Sequence, residues 1–190
     1  MGVIAYADES MRASAIPPMY LIAATIVEAD TNLSELEAIL PKGATKLHWR
    51  DLGQHDQKSS LNKIAAIESW SAITVAIPTD PRKQERARRK ALEALLPLLE
   101  AQDVEEVVME SRLPSLDAKD RVLFRSMVKK KAISTIRISF GNPSTEHRLW
   151  LPDQILGAYA ESRIEPDAFH PWANEWKRIE PSIQVIEIAP

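Results

Sequence analysis

The chain reads as an α/β protein, a mixed central sheet covered by helices, and three features of the sequence predict this. Short apolar runs of strand length alternate with longer segments whose apolar residues recur every three or four positions, the order expected when helices cover a sheet. The first two strand-like runs, residues 3–8 and 20–27, follow one another with no helix between them, which predicts an early antiparallel pair and so a mixed rather than an all-parallel sheet. The 190 residues are 45% hydrophobic and 27% charged, with 24 basic against 27 acidic side chains, a balance that fits one globular domain over residues 1–190.

Residues 3–8 form a short strand that ends in a pair of acids, Asp8 and Glu9. Pro17-Pro18 marks a loop, and the nearly continuous apolar run 20–27 is a strand buried on both faces. Asn32 or Ser34 caps a helix through Leu40, which Pro41 and Gly43 stop. A second helix fits residues 56–69, with Leu61, Ile64, Ala65 and Glu68 along one side, and residues 70–77 return as a strand. Thr79-Asp80-Pro81 supplies a capping acid and a proline at the first helical position, and Leu92, Leu95, Leu96 and Leu99 then form the apolar stripe, with a kink expected at Pro97. Residues 104–110 are a strand and 116–130 a helix, with Val122, Leu123, Ser126 and Met127 in step. Residues 134–140 alternate as a strand that Gly141-Asn142-Pro143 ends. A helix over 152–161, a Trp- and Pro-rich stretch to Ile179 and a last strand over 183–188 complete the order.

Composition excludes several function classes. With no cysteine there is no thiol nucleophile, zinc finger or disulfide framework, and a reducing, cytoplasmic setting is the expectation. Four histidines are too few for a His-rich metal site. Residues 1–10 lack the basic and apolar regions of a signal peptide, and no stretch approaches the roughly 20 apolar residues of a membrane span, so no membrane partner is expected. A net charge of -3 argues against coating nucleic acid over the whole surface and leaves room for a local basic patch.

The carboxylates carry the chemical signal. In the first strand Ile4, Tyr6 and Asp8 share one face and Ala5, Ala7 and Glu9 the other, so only one of the two acids points into a shared site unless the strand bends. Glu110 closes the strand over 104–110 in the same way, and neighbouring strands about 4.8 Å apart would bring Asp8 and Glu110 together. Asp153 follows Pro152 in a helix first turn, on the apolar side with Leu156, Gly157 and Ala160 that should face the sheet. Three convergent carboxylates repel unless a divalent cation sits among them, and Mg²⁺ is held by one or two carboxylates with waters and phosphate oxygens. That implies metal-assisted attack on a phosphodiester. Singly, each acid also has a structural account: a turn at Asp8 and Glu9, a solvated strand end at Glu110, a helix-dipole partner at Asp153.

Asp8-Glu9-Ser10 after the first strand, Lys46-Leu47-His48-Trp49 after the first helix, Glu110 at a middle strand end and Leu149-Trp150-Leu151-Pro152-Asp153 opening a late helix together resemble the domain of unknown function 3800 family, over most of the chain. That family is recognised by an N-terminal Asp-Glu pair and a C-terminal Gln-x-x-Asp. It is similar to the ribonuclease H-like fold, in which clustered carboxylates bind divalent metal for nucleic-acid cleavage. The resemblance implies a ribonuclease H-like mixed sheet, Mg²⁺ or Mn²⁺ held by Asp8, Glu110 and Asp153, Glu9 as helper, and a nucleic-acid substrate. Asp8, Glu9 and Asp153 match the motif acids, and Glu110 matches by its place in the fold. Two positions depart: Trp150 stands where the family has Gln, and Met11 follows Ser10 where Gly is common.

Three other features bear on function. His48 could orient a water, bind phosphate or act as a general base, or else pack as an ordinary histidine. Arg82, Lys83, Arg86, Arg88, Arg89 and Lys90 crowd a helix start, where positive charge opposes the helix dipole. Phosphate binding by Arg82, Arg86, Arg89 and Lys90 would account for them, as would a solvated face offset by Glu85 and Glu93. Lys129-Lys130-Lys131 suits a helix C-terminus, and Trp172 and Trp176 are expected to pack a satellite cluster. The sequence thus supports a metal-dependent nuclease, with a non-catalytic nucleic-acid or protein binding module on the same fold as the alternative.

Overall fold

The computed structural model describes residues 2–189 and contains a six-stranded mixed sheet flanked by helices. Strands β1 (Val3–Arg12), β2 (Met19–Val27) and β3 (Ser69–Ala76) form an antiparallel meander. Strand β4 (Val104–Glu110) lies parallel to β1, β5 (Arg137–Gly141) parallel to β4, and β6 (Ile183–Ile188) parallel to β3. The sheet order is β5-β4-β1-β2-β3-β6, so the expected early antiparallel pair and the adjacency of the strands beginning at Val3 and Val104 both hold. This mixed sheet is compatible with a ribonuclease H-like α/β fold.

Two apolar cores lie on the two faces of the sheet. Helices α3 (Gln84–Glu100) and α4 (Pro114–Lys129) cover one face, with Leu92, Leu95, Leu96 and Leu99 buried as the stripe requires. Helix α3 continues through Pro97 to Glu100. Helices α2 (Gln54–Ile64), α5 (Trp150–Ile164) and α6 (Ala173–Ile179) cover the other face. Strand β2 is buried along almost its whole length because alternate residues feed both cores: Leu21 and Ala23 one, Ile22 and Ala24 the other.

Several boundaries move for identifiable reasons. Helix α1 (Ser34–Glu37) is one turn, shorter than expected, with Leu36 its one buried side chain. Helix α2 stops at Ile64, not Ser69, because Ser69 pairs with Val27 and opens β3. Strand β5 starts at Arg137 because Glu100 accepts the backbone N–H groups of Ser134, Thr135 and Ile136, diverting them from the sheet. The α4 stripe holds in part: Met127 and Leu123 pack on the core, but Val122 is 62% exposed, and Asp117 and Asp120 turn inward to a backbone donor and a cationic partner. Trp172 and Trp176 belong to the main core rather than a satellite, with Trp172 packed edge-on to Trp49.

Candidate functional site

The parallel pairing of β1 and β4 sets Ala7 beside Met109, so Asp8 and Glu110 follow one residue later on adjacent strands. Alternation places Asp8 on the face of Tyr6, and Glu110 on the face of Val108, both of which belong to the core beneath α5. Helix α5 crosses that face, and Asp153 in its first turn completes the group. The three carboxylates and His48 line one cleft of about 390 Å³, together with Lys46 and Arg12. The three acids read from the sequence thus line one cleft.

The three acids differ in what surrounds them. Asp153 Oδ2 accepts the backbone N–H of Trp49 at 2.7 Å and the Gln154 side-chain amide at 3.0 Å. Its Oδ1 lies 2.7 Å from His48 Nδ1, close in distance but off the N–H direction, so the contact is an ion pair when the imidazole is protonated rather than an aligned hydrogen bond. Glu110 Oε1 accepts from Lys46 Nζ at 3.0 Å. Asp8 has no cationic partner among the described residues. Burial first, then Asp153 and Glu110, push its carboxyl well above the usual carboxylate range, against a hydrogen bond from the Glu9 backbone N–H.

Glu9 points to the opposite face and is committed elsewhere. It accepts from the Tyr20 hydroxyl and from Arg88, and Arg112 Nη1 stands 3.6 Å away. Arg88, only 2% exposed, also pairs with Asp120 at 2.8 Å, and Arg112 joins Asp120 at 3.1 Å and Glu85 at 2.7 Å. Burial pulls the Arg88 guanidinium down, but Tyr20, Asp120 and Glu9 hold it above its ordinary value. This network ties β1 and β2 to α3 and α4. It binds Glu9 into a structural ion-pair network, while Glu9 still lines the edge of the cleft that holds Asp8, Glu110 and Asp153.

The basic helix start resolves into separate residues. Arg82 pairs with Asp80 at 3.2 Å, Arg89 with Glu93 at 3.0 Å, and Lys90 donates to the Ala189 carbonyl at 3.1 Å. Arg86 is exposed. None of these four lines the acidic cleft.

The loop carrying His48 is held by close packing. The Gly157 backbone of α5 approaches Trp49 so tightly that an added Cβ would sit 2.0 Å from the indole Cγ. The Trp49 indole N–H donates to Glu161 at 2.7 Å, which fixes the ring while its backbone N–H holds Asp153. Trp150 is core: its indole N–H donates to the Pro143 carbonyl at 2.8 Å and its ring stacks on His147 at 4.2 Å. Reading the residues alone missed Arg12, Arg50 and Arg112 as cleft residues. Arg12 was legible in principle, since it shares the strand face of Asp8 and Ser10 once β1 is known to reach Arg12.

All three converging side chains are carboxylates, the oxygen donors that a hard divalent cation takes, and Asp8 lacks a cation of its own. Among the described residues, however, no three His, Asp or Glu side chains already stand in metal-ligand geometry. No helix among them is long and apolar enough to cross a membrane. No protein-family model and no curated protein matches this chain.

Proposed function

We propose that this protein is a metal-dependent nuclease, with the ribonuclease H-like character and the likeness to the domain of unknown function 3800 family that its motifs suggest, hydrolysing nucleic-acid phosphodiesters in the cytoplasm. The observation that carries the reading is Asp8: a partly buried carboxylate lining a cleft with Glu110 and Asp153 and forming no ion pair among the described residues. Leaving such a charge uncompensated costs stability, which a divalent cation would return. Asp8, Glu110 and Asp153 would hold Mg²⁺ or Mn²⁺, which when bound activates a water and steadies the leaving oxygen. Asp153 holds the His48 ring beside the cleft, where a ring nitrogen can accept a proton from an attacking water.

A second reading, a non-catalytic binding module on the same fold, is favoured by the partners that Glu110 and Asp153 already have in Lys46 and the Trp49 backbone. Mn²⁺ titration of the wild type and of Asp8→Asn over mixed DNA and RNA substrates separates the two. Cleavage that rises with Mn²⁺ and is lost in the variant supports the nuclease. Binding without cleavage at any Mn²⁺ concentration supports the module.

A further inference from the structure

Two guanidinium groups in the cleft form no ion pair among the described residues. Arg12, at the end of β1, has its Nε fully enclosed with no hydrogen-bond partner, and neither Arg12 nor Arg50 forms an ion pair among the described residues. Most other buried or half-buried cations nearby are matched: Arg88 to Glu9 and Asp120, Arg112 to Glu85 and Asp120, Lys46 to Glu110. Burial holds the Arg12 guanidinium below its ordinary value, with Glu161 and Asp153 opposing that shift and Arg50 reinforcing it. A cation placed beside another cation, with a donor enclosed and unused, is an arrangement completed by an anion.

We propose that Arg12 and Arg50 form the anion-binding wall of the cleft and grip a backbone phosphate of a nucleic-acid strand, while the exposed residues of α3 do not. The proposal rests on the nuclease reading for its substrate class, and it moves the phosphate contact from the helix the sequence singled out to the rim of the acidic cleft. Three facts of placement support it. Arg12 lies two alternate positions beyond Asp8 on the same strand face, so a phosphate held there lies next to the carboxylate floor. Arg50 follows His48 and Trp49 in a short 3-10 turn and reaches the same cleft from the opposite loop. By contrast, Arg82 and Arg89 are each occupied by their own helix's carboxylates or cap. A planar guanidinium fork matches two phosphate oxygens, which also accounts for arginine rather than lysine at both positions.

The test is fluorescence anisotropy of a short labelled DNA oligomer and its RNA counterpart, in chelator, across a salt series. Each phosphate contact that releases counterions contributes about 0.7 to the slope of log K against log salt for a single strand. Arg12→Gln and Arg50→Gln are each expected to flatten the slope by about that amount and weaken binding at low salt, with Arg86→Gln unchanged. Arg12→Lys should restore the slope while binding more weakly than the wild type. Because Arg50 is exposed, Arg50→Gln carries the test even where Arg12→Gln does not fold. Inorganic phosphate competing as well as the oligomer would assign the wall to free phosphate and overturn the strand proposal. Unchanged slopes in both variants, a loss confined to Arg86→Gln, or no binding by the wild type would also overturn it. The readout needs no metal and no cleavage. Flattened slopes without Mn²⁺-dependent cleavage would leave this wall standing and remove the nuclease; cleavage with unchanged slopes would do the reverse.

Discussion

At the residue scale, Asp8 and Arg88 show the two ways a fold treats a buried charge. Arg88 is enclosed and compensated twice, by Glu9 and Asp120. Arg88→Met is expected to cost on the order of 3–5 kcal/mol in urea denaturation, because it removes the buried cation that both carboxylates share and leaves them only Arg112 and, for Glu9, the Tyr20 hydroxyl. Arg88→Lys should recover only part of that, since an ammonium cannot bridge both acids as the guanidinium does. Asp8 is the reverse case. Its raised folded-state value means that its stabilising contribution is fully present below its unfolded value of about 3.9 and is lost as pH rises through the folded one. In chelator, Asp8→Asn should therefore match or exceed the wild type in stability, with an advantage that grows from acid to neutral pH. Denaturation at a series of pH values checks this. A variant that is less stable by a constant amount, with or without metal, would make Asp8 a structural cap.

At the scale of elements, two contacts decide where the pieces stop. Glu100, at the end of α3, collects three successive backbone N–H groups of the 134–136 segment, which hold its carboxyl down to about 2. A depressed carboxyl contributes stability above its unfolded value of about 4.3 that fades as pH falls toward 2. Glu100→Gln should cost about 1 kcal/mol at neutral pH, and its stability difference from wild type should narrow in acid as pH falls toward the folded value, read by denaturation at neutral pH and near pH 3. The second contact is α5 against the 49–51 turn. Gly157→Ala should displace Trp49, cost on the order of 1–3 kcal/mol, and loosen the N–H that holds Asp153. Mn²⁺-dependent cleavage should then fall further than a thermal melt at the same temperature accounts for. Equal losses would make Gly157 a packing residue only.

At the scale of the whole molecule, the candidate ligands come from residues 8, 110 and 153, so a metal that binds them binds only the folded chain. Under the nuclease reading, thermal midpoints in Mn²⁺ should climb with metal concentration, by about 2.7 kcal/mol of added stability at a hundred times Kd, and Asp8→Asn should flatten that rise. A wild type whose midpoint ignores Mn²⁺ would remove the metal from the cleft. Local pattern determined much of this architecture. The bounds of β4 and β6 and the apolar stripe of α3 follow from residue spacing alone, and alternation in the first strand already assigned Asp8 and Glu9 to opposite faces. Convergence of Asp8, Glu110 and Asp153 followed from treating two acid-tipped strands as neighbours. Tertiary structure alone decided which charge answers which. Arg88 finds Glu9 across 79 residues and Asp120 across 32, turning one member of an apparent phosphate-binding helix into a core ion pair and placing a buried acid on α4 beside the apolar residues Leu123 and Met127. Periodicity assigns a side chain to a face from its immediate neighbours; its counter-charge comes from a distant segment, and that pairing is settled only when the sheet closes and desolvation makes an unmatched charge costly.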